Sequence, residues 1–213
     1  MTPTLHFHPF SSFCQKVLIA LYDTDIEFRP NVVDLGDPDQ RAALARLWPM
    51  VRFPVLEVGP RAVPETSVII EYLADTFAQA RRLIPAETAA EVRLWDRLFD
   101  LYVQLPMQKI VLDHLRPADA RDPYGVAEAR AALRRFYPVA EARLEGRPWA
   151  AGDFSMADCA AAPALYYANR VEPWGAAFPA LSGYYDRLAA RPSYARVLDE
   201  AAPWSHFFPV PGA

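Results

Sequence analysis

Between Pro9 and Val17 the chain reads Phe10-Ser11-Ser12-Phe13-Cys14-Gln15-Lys16, which places two hydroxyls and a thiol where a strand signal gives way to a helix signal. Unpaired amides and the dipole at a helix start favour an anion. A free thiol titrates near ~8.5, and each unit of depression needs about 1.36 kcal/mol of extra anion stabilisation. One serine O–H with helix amides supplies roughly one to two such units, the range of a charge-assisted hydrogen bond. The segment therefore reads as a thiol-binding site, with Ser11, Ser12 and Cys14 as candidates. The same serines also read as plain helix caps. Ser11-x-x-Cys14 has the spacing of a redox cysteine pair whose leading cysteine is replaced, and without that exposed nucleophile dithiol chemistry is disfavoured.

Two further segments carry chemistry. Phe53-Pro54 opens a strand, and a cis bond there would present the Phe53 N–H and C=O to a peptide-like ligand, although the sequence alone leaves the isomer open. In Glu65-Thr66-Ser67 the amides of a helix start and the Thr66 hydroxyl can receive a carboxylate, while Glu65 can pair with an ammonium group. A simple cap is again the alternative.

The elements that must position these groups follow from periodicity. Thr4–Phe7 reads as a strand, Ser12–Tyr22 as a helix with Phe13, Val17, Leu18 and Leu21 on its apolar face, and Glu27–Val33 as a strand that Pro30 sends to an edge. Asp37-Pro38-Asp39-Gln40 starts a second helix, Arg52–Glu57 is a strand, Ala62-Val63 is too short to assign alone, and Glu65 opens a third helix. After Pro85 no period-two alternation appears. Glu87–Leu115 reads as a long helix with Leu94, Leu98, Leu101 and Leu105 on one stripe and Pro106 as a kink or break. Val126–Leu144 follows, closed by Gly146; Ser155–Asp158 caps another helix, and two shorter ones lie near Leu181–Ala190 and Tyr194–Ala201.

Bulk properties narrow the class. A 53% hydrophobic fraction supports a sizeable core, and a net charge of −4 disfavours nucleic-acid binding, which needs clustered cations. No apolar run is long enough to span a bilayer, no signal-peptide pattern opens the chain, and two distant cysteines make no disulfide framework; a cytoplasmic protein is expected. His6, His8, His114 and His206 show no metal-ligand spacing, so no metal is expected.

The three sites, in this order, are similar to those of the cytosolic glutathione transferases, and the resemblance runs along essentially the whole chain. Ser11–Val17 resembles the serine-type zeta signature, Ser-Ser-Cys and then a basic residue before valine. Phe53-Pro54-Val55-Leu56 resembles the cis-proline segment, and Glu65-Thr66 the Glu-Ser pair that holds the γ-glutamyl end. Val51-Arg52 replaces the common Gly-Lys or Gly-Gln pair, Cys14 stands where the family varies, and no tyrosine occupies the activating place.

The resemblance implies an α/β thioredoxin-like domain over 1–80 and an all-α domain over 87–213. Glutathione is the implied co-substrate, held by Ser11, Arg52, Phe53, Pro54, Glu65 and Thr66, with Ser11 as the thiolate partner, Ser12 second and Cys14 a neighbour. A small hydrophobic electrophile would sit against Tyr102, Met107 and Tyr166, since such pockets favour bulky apolar residues. A homodimer and a detoxifying conjugation are implied. The alternatives are glutathione-dependent isomerisation, thiol transfer through Cys14, and glutathione binding without turnover.

Overall fold

The computed structural model describes residues 2–210. Four short strands, β1 (Thr4–Phe7), β2 (Arg29–Val32), β3 (Val55–Val58) and β4 (Arg61–Pro64), form one sheet in the order β2-β1-β3-β4. β1 runs parallel to β2 and antiparallel to β3, and β3 pairs antiparallel with β4. β2 is exposed at every residue and lies at the sheet edge, where the missing N–H of Pro30 is tolerated. β4 forms despite its weak local signal because Gly59, at φ 59°, turns the chain back onto β3.

Helix α1 (Ser12–Asp23) is buried from Cys14 through Leu21, more completely than its one-sided apolar pattern predicts. It packs against α3 (Thr66–Thr76) on one side and against α7 (Met156–Val171) and α9 (Pro192–Ala201) on the other. A helix enclosed between two layers has no solvent face, so Gln15 and Lys16 must find partners inside. Helix α2 (Pro38–Leu47) starts at Asp37, whose carboxylate accepts from Asp39 N and Gln40 N. It closes a smaller apolar cluster of Val33, Leu44 and Val55.

The rest of the described chain is helical, as expected of an α/β layer followed by an all-helical unit. The long helix divides into α4 (Ala89–Phe99), a π turn (Asp100–Gln104) and α5 (Leu105–His114). Leu105 N donates to Asp100 O, five residues back, one residue before Pro106. The proline ring crowds the carbonyl four residues back in a regular helix, and the wider π turn lets the helix pass it rather than end.

The leucine stripe is not the buried face of these helices. Val92, Trp95, Phe99 and Val103 make the core face, whereas Leu94, Leu101 and Leu105 stand 54%, 48% and 45% exposed. Helices α6 (Pro123–Leu144) and α8 (Pro179–Ala189) complete the bundle, and Gly146, past the end of α6, takes φ 69°. At the start of α7, Asp158 accepts from the N–H and hydroxyl of Ser155, from Ala150 N and from the Tyr184 hydroxyl. One apolar core runs from α1 and α3 into α4, α6 and α7, so the two halves share their interior. No described helix is long and apolar enough to cross a membrane.

Candidate active site

Ser11 is the N-cap of α1: its Oγ accepts from Cys14 N at 3.4 Å. The cap uses a lone pair and leaves the hydroxyl proton free to donate, so capping and thiolate binding are compatible in one side chain. Ser12 Oγ accepts from Gln104 Nε2 at 2.5 Å, a bond from the π turn across to α1. The His8–Ser11 loop is tied to the helical layer by Tyr167, whose hydroxyl donates to Phe10 O at 3.0 Å. Gln15 Nε2 donates both to that hydroxyl and to Pro9 O.

Cys14 is a correction. It is fully buried, its Sγ accepts from His8 N at 3.5 Å, and burial pushes its thiol up to about 12. The side chain is a protonated core group below the site, out of reach of a ligand, and attack through Cys14 is removed. Cys159 is likewise buried, and both cysteines are free.

Two adjoining cavities meet at Phe53 and Gln108. A cleft of about 350 Å³ is lined by Phe13, Arg52, Phe53, Pro54, Glu65, Thr66 and Ser67, with Arg97, Asp100 and Leu101 from the helical layer. The Phe53-Pro54 bond is cis, and the β3 ladder begins only at Val55, which leaves Phe53 outside the sheet pairing. Glu65 adopts φ 69° without glycine's freedom and makes no side-chain cap bond. A non-glycine residue held in the left-handed region marks a position fixed by its surroundings. The first amides of α3 are therefore left without a side-chain cap, the arrangement that receives a carboxylate.

Beneath this cleft lies an ionic cluster that sequence patterns do not reveal. Lys16, 1% exposed, contacts Asp96 at 2.6 Å, Asp100 at 2.8 Å and Ser67 Oγ at 3.0 Å. Ser67 donates to Asp96 at 2.7 Å, and Arg97 bonds Asp96 at 2.9 Å and Asp100 at 2.7 Å. Burial raises the Asp100 carboxyl above its usual range, and the neighbouring Asp96 adds to this against the pull of Lys16 and Arg97. The basic residue before Val17 is thus an internal counter-ion joining the two layers at the cleft.

The second cavity, about 650 Å³, opens beside Ser11 and Ser12. Its lining is mainly apolar, including Phe10, Leu35, Met107, Val111, Phe207 and Phe208, with His8, Gln104 and Gln108 as polar points. Met107 lines this cavity; Tyr102 and Tyr166 do not. Tyr102 falls in the π turn, is 53% exposed and stacks on Phe136. Tyr166 accepts from Arg170 Nη1 at 2.9 Å, and its neighbour Tyr167 lines the chamber instead, since successive helical residues differ by about 100° in direction. Sequence reading missed His8, Gln104 and the carboxy-terminal aromatic pair. The one available signal was the density of aromatics after Trp204.

Comparison with known proteins agrees with this architecture. Family models described as the glutathione S-transferase N-terminal and C-terminal domains match residues 5–81 and 100–192. The disulfide-bond oxidoreductase YfcG of Escherichia coli is 27% identical, covering 87% of this chain and 90% of its own. A glutathione S-transferase of Silene vulgaris is 29% identical, covering 93% and 97%. A glutathione S-transferase of Methylobacillus flagellatus, solved with glutathione bound, superposes with a TM-score of 0.85 at 25% identity, covering 92% and 98%. With both domain models matched in order on this fold, the chain belongs to the glutathione S-transferase family.

Proposed function

We propose that the protein is a glutathione transferase that presents the glutathione thiolate to a small, apolar, uncharged electrophile. The observation that carries this reading is the meeting of the two cavities at Phe53 and Gln108, with Ser11 and Ser12 lining the apolar one. The γ-glutamyl end lies at Glu65, Thr66 and the amides of α3, Arg52 borders it, and the Phe53 backbone beside cis Pro54 pairs with the cysteinyl unit. The thiol then reaches the Ser11 hydroxyl at the mouth of the apolar chamber. Proximity and thiolate stabilisation are the rate terms. Among the described residues the chamber lining holds no lysine or arginine, which weighs against isomerisation of a dicarboxylate. Buried Cys14 weighs against thiol transfer through a protein mixed disulfide.

Calorimetric titration with glutathione, followed by conjugation assays on neutral aryl and alkyl electrophiles, tests the reading. Binding with turnover is expected, and oxidised glutathione should leave the mass of the native protein unchanged. Absence of glutathione binding overturns the proposal; binding without turnover on any electrophile leaves an interaction module.

Exposed Leu101 and Leu105, with 49%-exposed Val68, line the glutathione cleft, and exposed Leu94 lies earlier along α4. A second copy of the chain covers these side chains in this reading, giving a homodimer. Sedimentation equilibrium should report a dimer for the native chain and a monomer for Leu101→Lys, because an unpaired buried charge opposes association. A monomeric native chain excludes the dimer. Two free, buried thiols fit a reducing, cytoplasmic setting, and conjugation of apolar electrophiles fits a detoxifying role.

A further inference from the structure

His8 takes no part in the chemistry so far, yet it lines the apolar chamber beside Ser11. Its backbone is fixed on both sides: the N–H donates to Cys14 Sγ at 3.5 Å, and the C=O accepts from Ser11 N at 3.0 Å. Its ring is fixed as well. Nδ1 accepts from Phe10 N at 3.2 Å, and a neutral imidazole with its acceptor nitrogen occupied carries its proton on the other nitrogen. The tautomer is therefore set by the loop, with Nε2–H as the donor.

Phe53 stacks at 6.1 Å, and Trp204 and Phe207 approach edge-on at 4.8 and 6.2 Å. Burial in this surround holds the imidazolium below the usual histidine value, with Asp34 pulling the other way, so the ring is neutral at pH 7. A rigidly held N–H of known tautomer, in a pocket with no lysine or arginine among its described lining, is the form of a donor suited to developing negative charge.

We propose that His8 is a catalytic residue that donates from Nε2–H to a carbonyl oxygen conjugated with the electrophilic carbon, and that the preferred substrates are apolar, uncharged α,β-unsaturated carbonyl compounds. The inference rests on the glutathione transferase reading and names the substrate class of that site. The thiol loses its proton to solvent on binding. Thiolate sulfur then bonds to the β-carbon, the C=C π pair shifts toward the carbonyl, and negative charge gathers on oxygen, where the His8 N–H bond strengthens. The imidazole keeps its proton; water protonates the α-carbon, so S–H adds across the double bond. In halide displacement the charge leaves on the halide, and this donor contributes little.

The test compares trans-4-phenyl-3-buten-2-one with benzyl chloride in three variants. His8→Phe removes both ring nitrogens. His8→Asn retains an acceptor at the Nδ1 position for Phe10 N but lacks the distal donor, which guards against a misfolded loop. His8→Gln restores a donor near the Nε2 position. Expected are a loss of about 100-fold in kcat/KM for the enone in His8→Phe and His8→Asn, the scale of removing one oxyanion donor. The enone loss in His8→Phe and His8→Asn should exceed any loss on benzyl chloride by at least about tenfold, and His8→Gln should recover at least about tenfold of the enone loss. Equal losses on both substrates, or no loss on the enone, overturn the assignment while leaving the transferase reading in place. Failure of the native chain to bind glutathione overturns both.

Discussion

Ser11→Ala should raise the pKa of bound glutathione by one to two units and lower conjugation at pH 7 about tenfold or more, with the loss shrinking as pH rises past 8.5. The Ser11 hydroxyl has one proton and two lone pairs, and Cys14 N occupies only a lone pair. Removing the O–H deletes a donor to an anion, worth roughly 1.5–3 kcal/mol. The sign follows from what is lost: a bond to the charged form favours that form, so without it the thiol holds its proton to higher pH. Loss of the cap is a smaller, separate effect, because 3.4 Å is a long bond and serine caps contribute about 1 kcal/mol. Ser11→Thr keeps cap and proton and should restore the profile. The measurement is the pH dependence of kcat/KM, with thiolate absorbance of the binary complex. A profile unchanged in Ser11→Ala would move the role to Ser12, whose oxygen already accepts from Gln104 and whose proton is free by the same reasoning.

Lys16→Met should destabilise the fold by about 3–5 kcal/mol at pH 7.5, the cost of leaving buried carboxylates without their cation. Methionine matches the volume of the lysine stem, so the loss is electrostatic rather than a cavity. Arg97 still contacts both carboxylates but is half exposed and compensates only in part.

The pH dependence is distinctive. The Asp100 carboxyl is already raised by burial, and removing Lys16 removes an interaction that lowers it. A carboxyl whose folded pKa exceeds its unfolded value favours the fold when protonated; that gain is complete below the unfolded value near ~3.9 and lost as pH climbs through the folded one. The deficit of the variant should therefore narrow on acidification from pH 7.5 toward 5, and Lys16→Met with Asp100→Asn should recover part of it at neutral pH. Urea unfolding at the two pH values reads both effects. A deficit independent of pH would locate the damage in packing. Ser67, which contacts Lys16 and Asp96, lines the cleft, so glutathione affinity should fall as well.

The sequence by itself determined what short-range physics decides. Capping residues at Ser11, Asp37 and Ser155, the apolar spacing of α1 and α3, and Pro30 at an edge place the βαβαββα layer and the helices after it, because each signal acts within a few residues of where it is written. The family resemblance then ordered three weak segments into one candidate site. Tertiary structure alone decided which faces are buried and which side chains meet. The spacing of Leu94, Leu101 and Leu105 does not say which way they face; they stand exposed, while Val92, Trp95 and Phe99 are buried on a helix that packs against α7. The π turn before Pro106 shifts the helical register, which carries Gln104 to Ser12 and leaves Tyr102 outside the chamber. Lys16 meets Asp96 and Asp100 from about eighty residues away, and His8 takes its tautomer from a loop bond to Phe10. Such pairings depend on layer packing and on single-residue register, neither of which leaves a periodic trace in the chain.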